Sequence, residues 1–146
     1  MSRSSPPRSD EFEISVLGPG LGECILVHLG NNEWCIVDSF VSRGGSESVA
    51  IEYLDSFKNS ALDGVKLIVA THWHDDHVQG LASILRRVPT SSFACSAAVD
   101  SASFFTVVQT ANSGIQGKSG VEEFAAILGI IDAASAKKSK PLASPK

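Results

Sequence analysis

Apolar residues fall in short blocks over the first hundred positions of the chain. "FEISVLG" (12–18) alternates apolar and polar residues and predicts a strand, and the glycine-rich "GPGLGE" (18–23) after it predicts a turn. "CILVHLG" (24–30) and "EWCIVDS" (33–39) are two more apolar runs, parted by Asn31-Asn32, a pair suited to a tight hairpin. In "GSESVAIEYLDSF" (45–57) the period changes. Val49, Tyr53 and Phe57 recur every four residues with Ala50 and Leu54 beside them, which predicts an amphipathic helix. "KLIVA" (66–70) is continuous and short, as for a strand covered on both faces. "VQGLASILRRV" (78–88) predicts a helix ended by Pro89, and "SSFACSAAV" (91–99) a further strand.

Beyond this point the pattern loosens. "SASFFTVVQTANS" (101–113) fits helix and strand equally. "SGVEEFAAILGIIDAA" (119–134) opens on Ser119 and Glu122 in capping-box spacing, and its Val121, Phe124, Ala125 and Leu128 share a helical face. There is no internal repeat. Three strands, a helix, a strand, a polar loop, a helix and a strand make an α/β order with a hairpin-rich start.

The 146 residues are one domain's worth of chain. Residues 1–10 and 134–146 are polar and predict disordered tails, the second rich in lysine, leaving 11–133 as the folded domain. The net charge of −4 hides an asymmetry. Both tails are basic, so the body holds nearly all 16 acids against six of the 12 basic residues. That acidity does not indicate a nucleic-acid footprint. The N-terminal stretch lacks the apolar segment of a signal peptide and no run approaches a membrane span, so a cytoplasmic protein without a membrane partner is expected. Cys24, Cys35 and Cys95 are odd in number and widely spaced, each within an apolar segment, and read as free thiols.

The chemistry concentrates in "ATHWHDDHVQG" (70–80), which holds three of the four histidines. Imidazole and carboxylate suit zinc, manganese or iron, and no thiolate interrupts the stretch. In extended chain leaving a strand, His72 and His74 point to one side and can share a metal. A turn into the following helix carries Asp76 and His77 onward, where they can hold a second. The carboxyl end of a buried strand is also where α/β proteins place their sites. The fourth histidine, His28, lies within an apolar strand and reads as a satisfied structural group. Trp73 is expected to pack beneath the loop.

"THWHDDH" resembles the H-x-H-x-D-H signature of the metallo-β-lactamase fold hydrolases, and "IVDS" (36–39), ending its strand in Asp38, resembles that family's earlier motif. The resemblance covers about residues 12–99. Within the family, "LGPGLGECILVHL" followed by "VDS" resembles the hydrolase domain of competence-type DNA-uptake proteins. Where G-x-G-D-x-I-L-I is usual there, this chain has Gly22-Glu23-Cys24.

The resemblance implies an α/β fold of the α+β sandwich kind, namely the first half of an αββα four-layer sandwich, truncated relative to the family. It implies His72 and His74 as ligands of a first metal, and Asp76 and His77 as ligands of a second. Asp76 would also orient the attacking water as the catalytic residue. Asp38 would brace the ligand loop, or else is a plain strand-end aspartate. Asp75 holds a variable position and reads as a solvated or helix-terminal carboxylate. The implied activity is hydrolysis with one or two zinc ions, or manganese or iron. A bound ion brings a water's pKa to about 7 and polarises the scissile group of an ester, thioester, lactone or phosphodiester.

One departure bears on all of this. Family members draw further histidine and aspartate ligands from their second half, and no histidine follows His77. The chain therefore reads either as a hydrolase completed by a homodimer mate or partner chain, or as a degenerate member that binds metal weakly and acts as an interaction module.

Overall fold

A computed structural model describes residues 5–18, 20, 22–57, 61–95 and 120–138. In chain order the elements are β1 (Glu13–Leu17), β2 (Cys24–His28), β3 (Trp34–Val37), α1 (Val49–Asp55), a 3-10 turn (Leu62–Gly64), β4 (Val65–Ala70), α2 (Asp75–Val78), α3 (Leu81–Arg87), β5 (Ser92–Cys95) and α4 (Gly120–Lys138). The five strands form one sheet in sequential order, antiparallel from β1 to β3 and parallel from β3 to β5. This mixed sheet with helices is the α/β class expected from the order of apolar blocks.

The first two connections are local. Between β2 and β3, Asn31 and Asn32 both adopt left-handed φ, at 50° and 58°, and Glu33 N–H returns to Gly30 O at 2.8 Å. That is a type I′ turn, whose twist matches the strands it joins, and asparagine tolerates its φ better than most residues. In the β1–β2 turn, Gly22 sits at φ +101°, and a Cβ there would press into the Phe40 ring at 2.7 Å. Glycine is required there on both counts.

Period-2 burial fixes which sheet face is inside. Cys24, Leu26, His28, Trp34, Ile36, Ile68 and Ala70 are buried and pack with residues of α1, α3 and α4 into one core. Trp34 anchors it, with the His28 ring 4.7 Å away and Phe57 stacked at 6.1 Å. His28 is itself satisfied, its Nδ1 lying 2.9 Å from Glu11 O. The opposite face differs. Ile14 and Val16 of β1 are 57% and 66% exposed, and Leu67 and Val69 of β4 are half-buried, so β4 is not covered equally on both faces.

Four features depart from the sequence reading. The helix expected over 78–88 is split, because Gly80 adopts φ +86° and begins α3 afresh after the short α2. In α4 the buried face is Val121, Phe124 and Ile127, whereas Ala125 is exposed, so the face turns about 100° from one residue to the next and excludes that alanine. The same helix runs to Lys138, past the tail boundary expected at 134. At the other end, Ser9 O accepts Asn31 N–H at 2.9 Å and Arg8 pairs with Asp10 at 2.6 Å, so residues within the expected N-terminal tail make defined contacts. Residues 96–119, which include the second half of the strand expected over 91–99, the ambiguous segment 101–113 and Ser119, lie outside the described residues, as do 139–146.

Candidate metal centre

β4 ends at Ala70, and the histidine segment leaves the sheet in extended conformation before α2 begins at Asp75. The neighbouring strand β3 ends beside it. Asp38 N–H donates to Val69 O at 2.8 Å, and Ser39 N–H donates to His77 O at 2.7 Å. From the other side, Glu23 N–H, at the entry to β2, donates to Asp76 O at 3.1 Å. The histidine loop is thus tied at both ends to the central strands, which a metal site needs if its ligands are to be held in place before the ion arrives.

Asp38 is the hub. Its backbone turns to φ +57°, a left-handed conformation that aspartate tolerates more readily than most residues. The residue is 5% exposed and both of its side-chain oxygens have partners. Oδ1 accepts Thr71 N–H at 2.7 Å, while Oδ2 accepts the Thr71 hydroxyl at 2.5 Å and lies 2.9 Å from His77 Nδ1. Thr71 Oγ1 also lies 2.8 Å from His72 Nδ1. A buried carboxylate needs such partners, since desolvation of an unpaired one is costly. Its charge is felt nearby as well. The Cys24 thiol is pushed up to about 12, chiefly by burial and then by the negative charge of Asp38.

This network brings His72 and His77 together, with ring centroids 3.8 Å apart. Donor atoms of Asp38, His72 and His77 all lie within 4.8 Å of one another. The ring of His74 stands edge-on to His72 at 5.1 Å, outside that tight group, and Asp76 Oδ2 is 3.8 Å from His77 Nε2. The five residues expected at the site therefore occupy one region, with His72, His77 and Asp38 at its centre and His74 and Asp76 on its exposed rim. Beside Asp76 lies a shallow hollow of about 190 Å³ lined by Phe40, Val41, Asp75, Asp76 and Gln79.

Two neighbours behave differently from, or beyond, the sequence reading. Trp73, expected beneath the loop, is instead 38% exposed, with its ring centroid 4.7 Å from that of His74. Thr71 had no role by spacing, yet it makes more hydrogen bonds to Asp38 than any histidine does. Its position directly between an apolar strand and the first histidine was the available signal. Asp75 accepts the N–H of Gly120, the first residue of α4, and so is a helix-terminal carboxylate that ties the loop to that helix.

The donor set fits a divalent metal. Two imidazoles and one carboxylate, those of His72, His77 and Asp38, converge, and no thiol is among the clustered donors in the described residues. The sequence profile of the metallo-beta-lactamase superfamily matches residues 17–131, and the chain belongs to that superfamily. Among solved structures, it is similar to the metallo-beta-lactamase SMB-1, in complexes with 2-mercaptoethanesulfonate and with mercaptoacetic acid, and to the Rm3 metallo-beta-lactamase. Identity is 23% in each case over 62% of this chain, with TM-scores of 0.44, 0.44 and 0.43. The matched region spans about a third of those proteins, 34%, 34% and 32% of their chains. No curated protein matches the chain. No helix among the described residues is long and apolar enough to cross a membrane.

Proposed function

We propose that this chain carries the metal-binding part of a hydrolase site, with zinc as the resident ion, held by His72, His74, Asp76 and His77. The observation that supports this best is the buried Asp38 carboxylate bonded to His77 and, through Thr71, linked to His72. A structural histidine pair has no need of such an arrangement. Metal-ligating histidines usually do, because a carboxylate on the far ring nitrogen fixes the ring and raises its basicity. When bound, the ion would supply Lewis acidity and an acidified water.

The chain's own residues then have distinct tasks. Asp38 and Thr71 hold the two inner rings. Asp76, on the exposed rim beside the hollow, would accept a proton or orient water. Among the described residues that hollow is lined by two carboxylates and no basic side chain, which favours a neutral ester, thioester or lactone over a phosphodiester.

The test is metal content and hydrolysis measured side by side for the wild type and His72→Ala/His74→Ala. Substrates would be a nitrophenyl ester, an acyl thioester, an acyl lactone and a bis-nitrophenyl phosphate. Zinc retained by the wild type and lost by the variant, with ester-class hydrolysis lost in parallel, is the expected result. A wild type holding no more metal than the double variant would refute the reading. Metal retention without hydrolysis would favour the degenerate, metal-binding interaction module.

A further inference from the structure

α1, α3 and α4 share one core on the inner face of the sheet, and among the described residues no side chain of the outer face joins it. That outer face is a regular ladder. One rung crosses all five strands as Ile14, Val27, Cys35, Leu67 and Ser92, and a second runs from Val16 to Ala94 through an isoleucine and two valines. Neither rung holds a charged side chain, and Lys66, at the register shift between β3 and β4, lies just beyond them. Ile14 and Val16 are more than half exposed, as are Phe12 and Leu29 past the ends of their strands.

We propose that this face is the interface of a homodimer, in which a second copy of the chain lays its own ladder against it and closes a two-sheet sandwich. The pairing needs no metal and is independent of the histidine loop.

Charge, symmetry and area all favour a second copy. The body of the chain carries a large excess of acids, so two copies repel over most of their surface. The uncharged ladder is where they can meet without opposing like charges. A two-fold axis also sets a patch against itself, so the patch must tolerate its own chemistry. Rungs of valine, isoleucine and leucine do, whereas a charged partner would find no ion to pair with.

Strands about 4.8 Å apart, rising about 3.3 Å per residue, make the ladder roughly 20 by 17 Å. With Phe12, Leu29 and the relief of the side chains, two such faces bury on the order of 1,000 Å² in total, the low end for a specific interface. Monomers rarely leave a contiguous apolar patch of this kind open to water. The area therefore fits a reversible dimer, its sheets about 10 Å apart and their strands within about 30° of one another.

Sedimentation equilibrium of the full chain over about 1–500 µM reads the association. The mass should rise from 15.4 kDa to twice that value and stop there. Ile14→Lys/Val16→Lys alters side chains that are mostly exposed in the monomer, so it should keep the wild-type circular dichroism. Its dissociation constant should nonetheless rise at least about tenfold. The milder Val16→Thr should raise the constant less, and it decides the matter if the double variant does not fold. Glu52→Lys, on the exposed side of α1, should leave the dimer intact. Cys35, on the central strand of the ladder, should react with a maleimide more slowly as the dimer fills. A wild type that stays monomeric throughout, a mass beyond the dimer, or a dimer indifferent to the double variant overturns the proposal. Slow labelling of Cys35 in such a monomer would assign the cover to another part of the same chain instead.

Discussion

Asp38 and His77 stand 39 positions apart in the chain, and in the fold Asp38 Oδ2 lies 2.9 Å from His77 Nδ1. The contact exists because β3 and β4 are parallel neighbours, so their carboxyl ends open onto the same edge. The left-handed turn at Asp38 then aims its side chain across that edge. Asp38→Asn tests what the carboxylate does. Asparagine accepts φ +57°, so the backbone is preserved. Its amide has one acceptor oxygen for the three donors facing it and must turn an NH₂ toward at least one of them. The expected cost is about 1–3 kcal/mol in stability, with zinc affinity lowered about 10–100-fold. Urea denaturation and competition with a chromogenic chelator check the two effects. An unchanged zinc affinity would show that Asp38 is only a strand-end residue.

α4 docks through Phe124, which is fully buried, lies 6.4 Å from the Phe93 ring and belongs to the same core as Ile84 and Leu85 of α3. Glu123 adds a polar tie by accepting Ala82 N–H, at the start of α3, at 2.9 Å. Phe124→Ala should destabilise the fold by about 3–5 kcal/mol, the usual cost of deleting a buried phenylalanine. Glu123→Gln keeps an acceptor and should cost less than about 1 kcal/mol. Equal small losses in the two variants would mean that α4 is not part of the cooperative core.

The buried thiol of Cys24 predicts an alkaline weakness. In the unfolded chain it ionises near its ordinary 9.0, but in the fold only near about 12. Between those values the native state holds a proton that the unfolded state has lost, so stability falls as pH rises. Below 9.0 the thiol contributes no slope. Cys35, also raised by burial, acts in the same direction. Urea midpoints for the wild type and Cys24→Ala should therefore converge as pH climbs through this range. Parallel curves would contradict the assignment.

How much of this was legible beforehand depends on the range of each interaction. The strands and α1 follow from local periodicity, and Asn31-Asn32 announced its turn because few other residues accept two successive positive φ angles. The metal-type residues were legible for the same local reason, since they sit within six positions. Which rings meet was not. In extended chain the parity of side chains favours the pair His72 and His74, whereas α2 turns His77 back over His72. The break at Gly80 was hidden too, because "GLASIL" satisfies a helical pattern and only the close approach of Ser48, at 2.8 Å from a Cβ placed there, demands the left-handed turn. Thr71 was missed because its role depends wholly on a partner 33 residues away.

The central claim is that this loop binds a metal through imidazole. Zinc K-edge X-ray absorption on the zinc-loaded chain tests it most directly. The account predicts at least two imidazole nitrogens at about 2.0–2.1 Å, the remaining shell oxygen, and no sulfur. A sulfur shell at about 2.3 Å, or a shell of oxygen alone, would contradict it.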